Sequence, residues 1–211
     1  MPSFVVPFRG AKGKSRLYAM PEGSRVVLSR AMLADVVAAC AAVGPVFVVS
    51  PHEIASDTKA FDAATLDAAT FVADPGGGQS AAVRAGLDVA ALDAASADRT
   101  GPLVVVNADL PCATARDLLA FAGAVPAGGL AYAPAADGTT NAVAFASPDL
   151  FAPVYGSGSA ARFAALGPSR RVDAPNLMDD VDTVADLERL SGRLGAHSRR
   201  ALAWLRAGAA A

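Results

Sequence analysis

The feature that most constrains this chain is a set of short runs that are apolar at consecutive positions rather than at alternate ones. They are SFVVPF (residues 3–8), PVFVVS (residues 45–50) and PLVVVNA (residues 102–108). A strand with one wet face alternates apolar and polar residues, whereas a strand covered on both faces does not. Stretches with helical spacing separate these runs: SRVVLSRAMLADVVAACAAVG, QSAAVRAGLDVAALDAA and ATARDLLAFAGAV. Covered strands alternating with helices imply an α/β fold, a three-layer α/β/α sandwich around a mostly parallel central sheet.

The remaining elements are weaker signals. TFVADP (residues 70–75) reads as a third, shorter strand, GLAYAP and NAVAFA as two more, and RRVDA as a short one. GSAARFAAL, DTVADLERLSGRL and HSRRALAWLRAG read as helices. In the first long helix, Ser24 is placed to cap the start and Gly44 to stop the end. No linker or repeat interrupts the pattern, so residues 1–211 read as a single domain.

Composition narrows the function. Of 211 residues 53% are hydrophobic and 18% are charged, with a formal net charge of −2. No basic field is present to hold nucleic acid. No apolar run approaches the roughly 18 residues of a membrane span, and the first residues lack the basic start of a signal peptide. Cys40 and Cys112 match no metal spacing and suit a reducing, cytoplasmic setting.

In sheets of this kind ligands sit beyond the carboxyl ends of the strands. Four strand-end loops therefore carry the chemistry. The first, RGAKGKSRL, gathers Arg9, Lys12, Lys14 and Arg16 in a glycine-containing turn suited to phosphate. Gly13-Lys14-Ser15 imitates a P-loop, but Phe8 stands where that motif needs its first glycine. The second loop, DPGGGQS (residues 74–80), offers backbone N–H groups ahead of a helix. Read alone, the first loop could also be a solvated basic turn and the second a flexible one.

The third loop, NADLP, ends the most apolar strand in Asp109. A carboxylate there needs a partner or a cation. Thr114 is the better cap for the helix that follows, which leaves Asp109 for a hard cation. The fourth, DDVDTVADL, holds Asp179, Asp180 and Asp182. Asp182 is placed to cap the next helix, yet three acids exceed what one cap needs, and the cluster is a natural partner for Asp109 across a shared Mg²⁺. His52 and His197 fall in no cluster, so no nucleophile–histidine pair can be built. Phosphoryl or nucleotidyl transfer to an already anionic phosphate needs none.

The order of these motifs resembles the GT-A-like nucleotidyltransferases, whose fold is that of the nucleotide-diphospho-sugar transferases. More narrowly it resembles the guanylyltransferases that activate 2-phospho-L-lactate or phosphoenolpyruvate in coenzyme F-420 biosynthesis. The residues that carry the narrower resemblance are KSRL (14–17), DPGGG (74–78), NADLP (107–111), GTTNAVAF (138–145), YGSGSAARF (155–163) and DDVDTVADL (179–187). The resemblance implies transfer of GMP from GTP to the phospho-acid, with release of pyrophosphate. It implies that Arg9, Lys14 and Arg16 hold the GTP phosphates, Lys14, Arg16 and Asp109 being catalytic. Asp74, Gly76, Gly77, Gly78 and Ser80 would contact the nucleoside. Asp109 with Asp180 or Asp182 would hold Mg²⁺, and Thr139, Thr140, Gly156 and Ser159 would cradle the acid. The chain departs from the family at Gly78-Gln79-Ser80, where G-L-N is frequent, at Phe163, where histidine is common, and in a first basic loop shorter by one residue. A molybdopterin nucleotidyltransferase and an inactive GTP-binding regulator are the alternative readings.

Overall fold

A computed structural model of the protein describes residues 1–10, 20–51 and 63–209. Its strands are β1 (Ser3–Pro7), β2 (Val46–Ser50), β3 (Ala69–Ala73), β4 (Leu103–Val106), β5 (Leu130–Pro134), β6 (Thr140–Phe145) and β7 (Ser169–Arg171). They form one sheet in the order β3-β2-β1-β4-β6-β5-β7. The pairings β1–β2, β1–β4, β2–β3 and β5–β7 are parallel, while β6 runs antiparallel to both of its neighbours. The helices are α1 (Glu22–Ala41), α2 (Ala63–Leu66), α3 (Gln79–Ser96), α4 (Ala115–Gly123), α5 (Ser159–Ala164), α6 (Pro175–Met178), α7 (Val184–Leu190) and α8 (Ala196–Ala209). None of the described helices is long and apolar enough to cross a membrane.

The all-apolar strands are covered on both faces, as their pattern demands. Phe4, Val6, Val46, Val48, Val104 and Val106 pack with α1 and α4 on one side. The intervening Val5, Phe47, Val49, Leu103 and Val105 pack with α3 on the other, where α5 contributes Phe163. Successive side chains of a strand point to opposite faces, so one apolar run supplies two cores. A third cluster joins Leu28 and Met32 of α1 to Leu187 and Leu190 of α7, with Leu202 and Leu205 of α8 packed against it.

Three local expectations are corrected. Helix α1 starts at Glu22 behind Pro21, so Ser24 lies inside the first turn and caps nothing. Gly44 is required by crowding rather than by a left-handed turn, because a Cβ there would stand 2.1 Å from the carbonyl oxygen of Pro2. The strand expected at residues 170–174 ends at Arg171, and Pro175 opens a helical turn.

Asp35 ties the C-terminal helix to this frame. It is buried on α1 and accepts the backbone N–H groups of His197 and Ser198, both at 2.9 Å. Those N–H groups belong to the first turn of α8, which has no earlier carbonyl to bond. Asp35→Ala removes the carboxylate that accepts from both and should lower stability by about 2–3 kcal/mol, read as a shifted urea midpoint.

Candidate active site

The strand order places the site. After β3 the chain crosses back over β2 and β1 to lay β4 beside β1, so the carboxyl ends of β1 and β4 flank the point where the winding reverses. A cleft of ≈ 270 Å³ opens there. It is lined by Arg9 and Gly10 after β1, Met32 of α1, Gln79 at the start of α3, and Asn107 and Asp109 after β4. Lys12, Lys14, Arg16 and His52 lie outside the described residues.

The glycine loop between β3 and α3 leads into Gln79, which lines the cleft. Gly76, Gly77 and Gly78 have φ of +79°, +82° and +100°, a conformation that side chains with a Cβ rarely adopt. The carboxylate of Asp74 accepts the N–H of Gly76 at 2.8 Å and so shapes the loop itself. Gly78 supplies no side-chain cap to α3, and Ser80 sits half-buried in the first helical turn. That turn keeps its N–H groups and the positive end of the helix dipole beside the cleft. Arg9 reaches over the loop, where a Cβ on Gly78 would lie 3.5 Å from its Nη2. The loops after β1 and β3 thus meet.

At the end of β4, Asp109, Asp180 and Asp182 converge. One carboxylate oxygen from each lies within 4.8 Å of the others. The backbone explains how. The N–H of Val181 donates to the carbonyl of Asp109 at 3.0 Å, laying residues 179–182 beside the end of β4. Val181 is fully buried in the cluster beneath α7. Its neighbours Asp180 and Asp182 take the other side, the alternation expected of extended chain. Asp179 points away to the guanidinium groups of Arg189, at 2.9 Å, and Arg193. Partial burial opposes ionisation of Asp179, but those hydrogen bonds outweigh it and hold its pKa below the usual carboxylate range.

Asp182 is not the helix cap. Thr183 caps α7 and forms a capping box with Asp186, which frees Asp182 for the site. Asp180 has its pKa pushed up to about 6, first by burial and then by the charges of Asp109 and Asp182. Three hard oxygen donors at this spacing are a donor set that could hold a divalent cation.

Strand β6 brings a further group of residues to the end of β4. Because it runs against β4, with Ala142 opposite Val106, its first residues lie beside the last residues of β4. Thr140 and Ser159 come together here: the Ser159 hydroxyl donates to Thr140 Oγ1 at 3.1 Å, and both are buried. Thr139 turns instead to Asp137, whose Oδ1 accepts its hydroxyl at 2.6 Å. Gly156, with φ +107°, lies in the loop before α5. Arg162 fastens that loop by donating to the carbonyls of Val154, Tyr155 and Ser157.

Asn141 was not singled out by the sequence. It is buried, and its Nδ2 donates to the Met178 carbonyl at 3.0 Å and to Asp180 Oδ1 at 3.4 Å. The signal is an amide directly ahead of the apolar run AVAF, in a strand covered throughout. Two departures from the family pattern also find physical meaning. Gln79 donates to Asn107 Oδ1 at 3.1 Å, linking α3 to the end of β4. Phe163 is fully buried, its ring centroid 5.1 Å from Tyr155 and 6.2 Å from Phe145, so it is a core residue.

Residues 13–203 match the MobA-like NTP transferase domain family. The phosphoenolpyruvate guanylyltransferase of Sphaerobacter thermophilus is 36% identical, over 89% of this chain and 91% of that protein. The 2-phospho-L-lactate guanylyltransferase of Natrialba magadii is 32% identical, over 87% of this chain and 80% of that protein. A crystal structure from Desulfovibrio desulfuricans G20, described as a nucleotide-diphospho-sugar transferase, superposes with a TM-score of 0.72 at 19% identity, covering 99% of this chain and 95% of that one. That likeness shows the GT-A-like fold.

The crowded carboxylates should register in stability. Ionising Asp180 is harder in the folded than in the unfolded chain, so its penalty grows as pH rises from the ordinary carboxylate pKa to about 6. Without divalent cations at neutral pH, Asp180→Asn should be more stable than the parent by about 1–2 kcal/mol, discounted for its partial exposure. The advantage should vanish below about pH 4, where the carboxyl is protonated in both states. Urea unfolding in a chelating buffer across this range measures it.

Proposed function

The chain belongs to the MobA-like NTP transferase family and, within it, to the phosphoenolpyruvate and 2-phospho-L-lactate guanylyltransferases, and on that premise we propose how its cleft works. It transfers GMP from GTP to phosphoenolpyruvate or 2-phospho-L-lactate and releases pyrophosphate, as a cytoplasmic enzyme of coenzyme F-420 biosynthesis. Phosphoenolpyruvate is the first choice, since relatives at 34–36% identity carry that name. The relatives favour neither a molybdopterin acceptor nor an inactive GTP-binding role.

The observation that carries the reading is the convergence of Asp109, Asp180 and Asp182 at the end of β4, where Asp109 also lines the cleft with Arg9 and Gln79. The glycine loop, Arg9 and the open first turn of α3 suit a nucleoside triphosphate. Lys14 and Arg16 follow Arg9 in the chain and would add charge against the triphosphate. Thr139, Thr140, Gly156 and Ser159 would take the carboxylate and phosphate of the acid, with the Thr140–Ser159 hydroxyl pair rearranging to offer its donors. Arg162 holds that loop in shape.

Asp109, Asp180 and Asp182 would hold Mg²⁺, which, when bound, supplies positive charge against the phosphates during displacement. The acceptor phosphate is already anionic and attacks the α-phosphorus without a base, so the absence of a histidine cluster among the described residues is no obstacle. The work of the protein is alignment of attacking and leaving oxygens and neutralisation of charge.

Pyrophosphate release tests this with GTP, ATP or CTP against phosphoenolpyruvate, 2-phospholactate and 3-phosphoglycerate. Release with GTP and phosphoenolpyruvate or 2-phospholactate is expected, and none with any acid would overturn the reading. Asp109→Asn should reduce turnover roughly 10³-fold with the fold intact by circular dichroism. Near-parental turnover would remove Asp109 from the proposed cation site.

A further inference from the structure

We propose that Asn141 is a positioning residue that holds Asp180 in its cation-binding orientation. The proposal rests on reading the three carboxylates as a cation site.

Asn141 spans the junction between the end of β4 and the acidic segment. Its backbone carbonyl accepts the N–H of Asn107 at 2.9 Å, two residues before Asp109. Its side chain reaches the other way, donating to the carbonyl of Met178 and to Asp180 Oδ1. Met178 O can only accept, so it fixes which end of the amide is NH₂. With that end committed, the second N–H of the same nitrogen is aimed at Asp180.

The chemistry of the residue matters. Three carboxylates crowded within 4.8 Å repel one another, so each needs a partner to keep it turned toward the others. A lysine or arginine in this place would hold Asp180 but would neutralise the site and compete with the cation. A fourth carboxylate would add to the repulsion. A neutral amide orients the carboxylate and leaves its charge for the metal, as outer partners of metal-binding carboxylates do. Burial of Asn141, 2% exposed, excludes water from taking over the bond. From the opposite side Asp179 is held by Arg189 and Arg193, so the segment is gripped on both faces.

Mn²⁺ binding, followed by electron paramagnetic resonance without nucleotide, tests this in the intact protein. Asn141→Ser and Asn141→Leu should weaken Mn²⁺ binding roughly 10–100-fold. Melting in chelating buffer should stay cooperative, and the Mg²⁺ needed for half-maximal turnover should rise in parallel while kcat at saturating Mg²⁺ largely recovers. A folded variant with parental Mn²⁺ affinity overturns the proposal. If neither variant folds, a Mn²⁺-bound crystal structure of the parent decides. Asp180 still accepting from Asn141 supports the role, and an Asp180 turned away from it refutes the role. A parent that binds no Mn²⁺, or an Asp109→Asn variant that binds it equally well, overturns the cation reading and this proposal with it.

Discussion

Holding three carboxylates within 4.8 Å of one another is the constraint around which the rest of the site is arranged. Like charges at such separations repel, the more so where water is partly excluded. Burial first, and then the charges of Asp109 and Asp182, push the pKa of Asp180 up to about 6. The chain restrains the backbone on either side rather than neutralising the acids. Val181 is anchored in the core and bonded to the Asp109 carbonyl, Asp179 is drawn outward by two arginines, and Asn141 reaches in from β6.

The inversion of β6 makes that arrangement possible. In a fully parallel sheet, only carboxyl ends would face the cleft. Here β6 runs against β4, so its first residues arrive where β4 ends. Thr140 and Asn141 thereby stand beside Asn107 and Asp109, and the paired Thr140 and Ser159 hydroxyls join the same neighbourhood. The direction of this one strand brings Thr140 and Asn141, remote in sequence from Asn107 and Asp109, to the end of β4.

Much of the frame was legible in the residues. All-apolar runs announced covered strands, and Thr114 was recognised as the cap of α4, where it forms a capping box with Asp117. The rule that ligands lie beyond strand ends led to the loops holding Arg9, Asp109 and Asp180. The same rule passed over Asn141, because it begins a strand instead of following one. The residues suit Asp182 to a cap as well as to a cation; the cap is Thr183, because both residue types suit that place and only the backbone decides which stands at the helix boundary. Phe163 stood out as a departure at an acceptor loop, yet its ring faces the aromatic core.

By itself, then, the sequence determined the α/β layering and the kinds of group available to the site, because side-chain hydrophobicity and charge are local properties with short periods. It also held the acids in their order along the chain. The tertiary structure alone decided which acids meet, which hydroxyls pair and which amide supports Asp180. Those depend on strand direction and register, which arise from pairing between segments remote in sequence and are written in no single segment.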